Sequence, residues 1–245
     1  LAIAHPLFVE GAGRVALDRL MTRRAAEGLI GKVVDIEQLY RRYSSGRMDP
    51  EAVRRYVADA VAQMGVRYVL IVGGDSYDYF DNLGMGAVSF VPSFYRRTHD
   101  YVNFAPVDSL YVDLDVDGVP DLPIGRLPVR GAGELNALID KIERIEQGSY
   151  LRTSVHVADR VGSTDSVSFK HISENFRNSL GEGWQLTLPS SVYMDDYPTG
   201  AAGVSSARAA LVQALGDGQM LTTYVGHSSP SIWSRERLLD GAMVQ

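Results

Sequence analysis

The chain has 245 residues, of which 45% are hydrophobic and 22% are charged, and its formal net charge at pH 7 is -6. No basic block is present, so the sequence gives no electrostatic support for nucleic-acid binding. No apolar run approaches the ~20 residues that span a bilayer. The chain contains no cysteine, which excludes disulfides, thiolate metal sites and a cysteine nucleophile within these residues.

Short apolar runs alternate with amphipathic helical patterns, which predicts an α/β fold with parallel sheets. The clearest helix covers 50–64, because Asp49 can cap its start, Pro50 suits the first helical position and Gly65 suits its end. The predicted strands are 1–4, 32–36, 68–72, 122–127, 155–158, 184–188 and 220–225. The other predicted helices are 15–27, 134–146, 169–180 and 205–215, the last of them capped by Ser205.

Two sets of strands and helices follow one another along the chain, and the acidic loop 113–121 separates them. We therefore expect an N-terminal α/β subdomain at 1–112 and a second subdomain at 113–245. The chain begins with Leu1 without a basic-then-apolar signal segment, and we expect it to be an interior piece of a longer protein.

One candidate catalytic residue is His227, which follows the apolar strand 220–225 and is followed by Ser228 and Ser229. Catalytic groups of open parallel sheets gather at the carboxyl ends of the strands, and a histidine there can act as general acid and base. The small residues that follow let backbone N–H groups approach a substrate oxygen. A histidine that only bonds a loop carbonyl is the alternative.

The acidic loop resembles the first half of a calcium-binding loop. Asp113, Asp115 and Asp117 alternate before Gly118, and the Val119 carbonyl can add a further ligand. The match is incomplete, because isoleucine stands at the twelfth position, where a bidentate acid is expected. A solvated acidic turn is the alternative reading.

Several segments, in order along essentially the whole chain, resemble the gingipain-type cysteine peptidases. They are YVLIVGGD at 68–75, DLPIGRLP at 121–128 with the helix after it, VAD at 157–159 and YVGHSS at 224–229. The resemblance implies a caspase-like fold of parallel sheets flanked by helices, in two side-by-side subdomains of which the second is incomplete. It implies peptide-bond hydrolysis by a Cys–His pair in a secreted or surface-attached bacterial protein.

The resemblance also assigns roles to individual residues. It maps the catalytic histidine to His227 and the orienting acid to Asp121, with the strands 122–127 and 220–225 side by side. The backbone N–H of Ser228, where glycine is typical, supplies an oxyanion contact. Glu134 is the carboxylate nearest to the position of the acid that makes some relatives specific for basic side chains. The nucleophilic cysteine is expected beyond residue 245.

Three functions follow as hypotheses. The first is a cysteine endopeptidase domain that acts on polypeptides and is inactive as this piece alone. The second is a non-catalytic caspase-like module that binds partners of a bacterial surface protein, and the third is a calcium-binding adhesion domain. The strand 220–225 is expected to lie uncovered in the isolated chain and to promote self-association.

Overall fold

The structure is a computed structural model that describes residues 1–98, 100, 102–148, 153–181, 185–229 and 231–243, and only the backbone of 185–190. The chain divides into two compact units, Leu1–Gln147 and Gly148–Gln245. Each unit contains a parallel sheet with helices packed against it. The predicted fold class, α/β with parallel sheets flanked by helices, is therefore confirmed.

The first unit is built on a four-stranded parallel sheet with the order β2-β1-β3-β6. Its strands are β1 (Ala2–Ala4), β2 (Val33–Asp35), β3 (Val69–Val72) and β6 (Ile124–Leu127), and a short antiparallel pair is formed by β4 (Tyr95–Arg96) and β5 (Ala105–Pro106). Its helices are α1 (Pro6–Val9), α2 (Gly11–Ala26), α3 (Ile36–Tyr43), α4 (Pro50–Met64) and α5 (Ala132–Gln147), with a 3₁₀ turn at Asp108–Tyr111.

Apolar side chains of the sheet alternate between two cores, as the pleat of a strand requires. Ile3 and Ile71 pack with α3 and α4 in one core. Ala4 and Val72 pack with α1, α2 and α5 in the other core. Helices therefore cover both faces of this sheet.

The helix predicted at 50–64 is confirmed with its caps. The Asp49 side chain accepts a hydrogen bond from the Glu51 N–H, Pro50 begins the helix, and Gly65 ends it with a left-handed φ of 62°. Two other elements differ from the prediction. Helix α2 begins at Gly11 rather than near residue 15, and α3, which the sequence analysis missed, begins at Ile36, the last residue of a predicted strand.

The predicted domain boundary at 112/113 lies inside the first compact unit. The unit extends further because β6 pairs with β3 and α5 packs with α2, so both elements after the acidic loop complete the first sheet and its core. The boundary between the compact units falls at the end of α5.

The second unit is built on a three-stranded parallel sheet with the order β8-β7-β9. Its strands are β7 (Thr153–Ala158), β8 (Gln185–Tyr193) and β9 (Leu221–Val225), followed by a small antiparallel sheet of β10 (Ser228–Ser229), β11 (Ile232–Trp233) and β12 (Leu239–Asp240). Its helices are α6 (Phe169–Ser179) and α7 (Ala201–Gly216), with 3₁₀ turns at Met194–Asp196 and Gly241–Met243.

One strand and one helix of this unit have bounds that differ from the predicted ones. Residue Trp184, at which the strand 184–188 was predicted to begin, lies outside the described residues, and β8 continues as far as Tyr193. Helix α7 begins at Ala201, so the prediction that Ser205 caps it is wrong. The first turn of α7 consists mainly of small residues, so the sequence gives little signal of where the helix starts. Gly203 in this turn is buried so closely against Pro198 that a Cβ would collide with the proline backbone.

Among the described residues, no helix combines the length and apolar character that a membrane crossing requires.

The buried His156 of β7 gives this unit an acid-sensitive stability. Its Nδ1 lies 2.9 Å from Thr223 Oγ1 and its Nε2 lies 3.1 Å from Ser154 Oγ. Burial, helped by the nearby Arg177, lowers the pKa of His156 below its ordinary 6.5. The unfolded chain therefore binds the proton more readily than the folded chain, and the free energy of unfolding decreases as pH falls below about 6.5.

We expect a His156→Gln variant to lose part of this acid dependence, measured as denaturant midpoints between pH 5 and 8. His171 is exposed on α6, so His171→Gln is the matched control and should keep the wild-type dependence. Parallel pH profiles for wild type and His156→Gln would contradict the assignment.

Candidate active site

The site lies at the carboxyl edge of the sheet in the second unit. Strands β7 and β9 are parallel neighbours in which Ala158 is paired with Val225. The chain therefore leaves both strands at one edge, where Asp159, one residue after β7, meets His227, two residues after β9. This is the edge at which parallel sheets collect catalytic groups.

Asp159 holds His227 through two contacts with a single carboxylate oxygen. Oδ2 of Asp159 lies 3.1 Å from Nδ1 of the imidazole and also accepts the backbone N–H of His227 at 3.1 Å. The other oxygen accepts the Arg160 N–H at 2.8 Å, and the Asp159 side chain is only 3% exposed. A fully bonded, buried carboxylate of this kind fixes both the position and the tautomer of the ring.

Gly226 allows the two chain segments to approach this closely. A Cβ at this position would lie 2.2 Å from the Cβ of Asp159, and the φ of Gly226 is 156°. A side chain here would push the aspartate and the histidine apart. The glycine before the histidine is therefore a steric requirement of the Asp159–His227 contact.

The second ring nitrogen of His227 faces groups of opposite charge. Nε2 lies 3.2 Å from Oδ1 of Asp165 and 3.4 Å from Nη2 of Arg235. The ring of Phe169 meets the imidazole edge-on at a centroid distance of 5.1 Å. Nε2 thus has an acceptor when it carries a proton and a donor when it does not, which suits a group that exchanges protons.

The backbone of His227 is fixed by the strands around it. Its carbonyl oxygen accepts hydrogen bonds from the Tyr224 hydroxyl at 2.6 Å and from the Ser234 N–H at 2.8 Å. The Tyr224 ring stacks on Trp233 at a centroid distance of 4.6 Å. Burial, with a smaller effect from Asp159, raises the pKa of Tyr224, so its hydroxyl keeps the donated proton at neutral pH.

Ser228 is placed so that its N–H is available to a ligand. Ser228 pairs with Trp233 across the antiparallel hairpin, and the bond from Ser234 N–H to the His227 carbonyl flanks this pair. In this pattern the two paired residues turn their own N–H groups away from one another. The Ser228 N–H therefore points out of the hairpin.

Asp121 belongs to the first unit, where its Oδ2 accepts the Leu114 N–H at 2.8 Å. The predicted pairing of strands 122–127 and 220–225 is wrong, because β6 pairs with β3 whereas β9 pairs with β7. The two segments belong to different sheets. Within the second unit, the carboxylate that contacts Nδ1 of His227 is that of Asp159.

Glu134 lies in the first turn of α5, which begins at Ala132. Its Oε2 accepts the N–H of Arg130, two residues before the helix, at 2.7 Å. This contact gives the carboxylate a local structural role, and its role in substrate binding stays a prediction.

The acidic loop brings three carboxylates together in the first unit. Asp113, Asp115 and Asp117 each offer an oxygen, and these oxygens lie within 4.8 Å of one another. Asp113 is only 2% exposed and accepts the N–H groups of Asp117 and Gly118. The Val119 N–H bonds Asp117 at 2.8 Å, which folds the loop around the carboxylates.

His227 was predicted from the sequence, but the residues around its ring were not. Asp159 follows an apolar strand in the same way as His227 follows β9, and this pattern alone could have marked it as a second group at the sheet edge. Asp165 and Arg235 lie in irregular segments, and nothing in their sequence context indicates that they converge on one imidazole.

The chain is similar to one protein family over its whole length and to solved structures over all or part of its length. The family model described as peptidase family C25 matches residues 1–245. No curated protein matches. A solved structure described only as a protease is 16% identical, with a TM-score of 0.65, over 100% of this chain and 48% of its own. The crystal structure of dimeric latent PorU from Porphyromonas gingivalis is 24% identical, with a TM-score of 0.45, over 58% of this chain and 15% of its own.

Proposed function

Because the chain belongs to peptidase family C25, the family of the gingipain-type cysteine peptidases, we propose that it carries the acid–base half of a cysteine endopeptidase site that hydrolyses polypeptides. The observation that supports this most directly is the Asp159–His227 contact at the carboxyl edge of the sheet. The chain spans less than half the length of the solved structures it resembles, and it contains no cysteine. The nucleophile in this proposal is a cysteine from another part of the protein. From the family resemblance, we also infer that the protein is secreted or surface-attached in bacteria.

In the proposed reaction the cysteine thiolate attacks the scissile carbonyl carbon and the carbonyl oxygen becomes an oxyanion. The oxyanion collapses, the C–N bond breaks, and His227 gives its Nε2 proton to the departing amine, which leaves a thioester. Neutral His227 then takes a proton from water, whose oxygen attacks the thioester, and the thiolate is released with the acid product. Protons and charges balance over the two halves.

Asp159, rather than Asp121, is the orienting acid in this proposal. An orienting carboxylate must accept a hydrogen bond from the imidazole and stabilise its charged form. Asp159 meets both requirements, since it is buried and bonded to Nδ1. Its contact leaves Nε2 as the nitrogen that exchanges protons with the reacting groups.

Ser228 contributes to the oxyanion site through its backbone. Its outward N–H lies directly after the catalytic histidine, and a backbone donor needs no particular side chain. Serine in an extended strand has no conformational penalty here, so the replacement of the typical glycine is compatible with catalysis.

The experiment that tests the proposal compares the 245-residue chain with the full-length protein on an internally quenched peptide library. We expect the full-length protein to hydrolyse peptides and to lose this activity after treatment with iodoacetamide, because the reaction needs a thiolate. The 245-residue chain should hydrolyse none. Turnover by this chain that a serine-directed inhibitor abolishes would contradict the proposal, and a full-length protein without activity would favour a non-catalytic binding module.

A calcium ion in the acidic loop is a second proposal, which the clustering of Asp113, Asp115 and Asp117 supports. Calcium prefers carboxylate and carbonyl oxygens, and the Val119 carbonyl is the additional ligand in this proposal. The ion would tie together the loop that precedes β6.

Calcium should accordingly raise the melting temperature of the chain. Binding to the folded state alone adds about 2.7 kcal/mol at a free concentration 100-fold above Kd. We expect a rise of several degrees at millimolar calcium in wild type and none in an Asp115→Ala, Asp117→Ala double variant. Magnesium, which demands a stricter octahedral geometry, serves as the ion control. Equal melting of wild type and variant would show that the loop is an acidic turn.

A further inference from the structure

We propose that Arg235 is a specificity-determining residue of the proposed peptidase site and binds an acidic side chain next to the scissile bond. The inference rests on the proposed function and names a substrate class for the same site. Arg235 is exposed, and its Nη2 lies 3.4 Å from Nε2 of His227. A cation is therefore held one hydrogen bond away from the nitrogen that serves the leaving amine.

A turn fastened to the catalytic histidine presents this guanidinium. Ser234 is buried and donates its N–H to the His227 carbonyl, and its own carbonyl accepts the Arg237 N–H at 3.0 Å. The φ angles of Ser234 and Arg237 are 66° and 59°, a left-handed conformation that residues other than glycine seldom adopt. Backbone strain of this kind clusters at functional sites, and here the two hydrogen bonds of Ser234 hold the turn that carries Arg235.

The positive charge of Arg235 is available to a ligand, whereas the neighbouring carboxylate, that of Asp165, already bonds groups of the protein. Within the described part of the second unit, no carboxylate lies within ion-pairing distance of the Arg235 guanidinium. Asp165 has only 10% of its side chain exposed, accepts the Gly162 N–H through Oδ2 and contacts the imidazole through Oδ1. The group open to solvent beside the imidazole is thus a cation.

An acidic substrate side chain satisfies this arrangement. Arginine carries five N–H donors in a planar fork that matches a carboxylate, and one donor directed at His227 leaves the others for a ligand. A carboxylate bound there also neutralises the positive charge beside Nε2, which favours the protonated imidazole that the leaving amine requires. Given the short Arg235–His227 distance, the acidic residue is one of the two that flank the scissile bond.

The test uses the full-length protein and an internally quenched peptide that it cleaves, synthesised with Asp, Asn or Lys on either side of the scissile bond. We expect kcat/KM to be about 10- to 100-fold higher for Asp than for Asn at one of these positions, as charged hydrogen bonds imply. An Arg235→Gln variant should cleave the Asp and Asn peptides equally, and Arg235→Lys should keep part of the preference. Arg177→Gln, on α6 of the same unit, is the matched control and should keep all of it.

Equal cleavage of the Asp and Asn peptides by wild type would overturn the inference while leaving the proposed function intact. A preference for Lys would also overturn it and would assign the subsite to Asp165 instead. If the full-length protein cleaves no peptide, the proposed function fails, and binding of fluorescently labelled peptides that carry Asp, Asn or Lys to the 245-residue chain still decides whether Arg235 binds an acidic side chain. Tighter binding of the Asp peptide, lost in Arg235→Gln, would support it, and equal affinities would overturn it.

Discussion

Replacement of His227 by glutamine is expected to lower kcat/KM of the full-length protein by about 10⁴-fold, the upper range for loss of a general acid–base group. Glutamine is polar and similar in size, but it neither takes the proton from water nor gives one to the departing amine. The contact between Asp159 and the imidazole would disappear with the ring. Initial rates on a quenched peptide measure the effect directly.

The control for this variant is His171→Gln, a change of the same residue type at an exposed position on α6 in the same unit. It should leave kcat/KM within about twofold of wild type, as surface substitutions usually do. If the His227→Gln protein has an unchanged melting temperature and retains more than a tenth of the wild-type rate, His227 is not the acid–base group.

The second large effect is expected at Asp159. An Asp159→Asn variant should lose between about 10² and 10⁴ in kcat, in the range known for orienting acids of catalytic triads. If the asparagine keeps its oxygen for the Arg160 N–H, its NH₂ group replaces Oδ2, the oxygen that accepts both the His227 N–H and the proton of Nδ1. The imidazole then loses both its fixed tautomer and the charge that stabilises its protonated form.

Asp121→Asn is the informative comparison, because the family resemblance placed the orienting role at that position. Its carboxylate accepts the Leu114 N–H, a contact that the asparagine oxygen can keep, so we expect a change in kcat of less than threefold. The reverse outcome, with a large loss for Asp121→Asn and little for Asp159→Asn, would return the role to Asp121.

Short-range sequence signals predicted those elements whose ends depend only on neighbouring residues. Helix α4 was found with both ends because Asp49, Pro50 and Gly65 each act on their own neighbours. Helix α3 was missed although Asp35 caps it, because Ile36 continues an apolar run and was assigned to the strand before it. The apolar pattern could not decide between a buried strand and the first turn of a helix.

The pairing of strands could not be predicted in the same way. Strand β1 lies between β2 and β3, and β7 lies between β8 and β9, so each sheet is completed by segments far apart in the chain. His156 on β7 and Thr223 on β9 are 67 positions apart, yet their strands are neighbours. The acid partner of His227 depends on which strands are neighbours. The family resemblance assigned this role to Asp121, whereas the observed sheet brings Asp159 to the imidazole.

The surroundings of Nε2 were beyond prediction for a different reason. The turn that presents Arg235 has a positive φ at Ser234 and at Arg237, and neither residue type signals that conformation. The hydrogen bond from Ser234 to the His227 carbonyl holds the turn in place. The histidine itself was found because the parallel-sheet rule needs only the order of elements along the chain.

The proposed function requires that His227 serve a cysteine nucleophile outside these 245 residues, and covalent labelling of that cysteine tests this requirement. The full-length protein is treated with a peptidyl acyloxymethyl ketone, and the modified residue and its labelling rate are determined by mass spectrometry for wild type and His227→Gln. We predict that a single cysteine outside the chain is labelled and that the variant reacts at least about 100-fold more slowly, because the imidazole sustains the thiolate. Labelling of Ser228 or Ser229, or an equal rate in the variant, would contradict the claim.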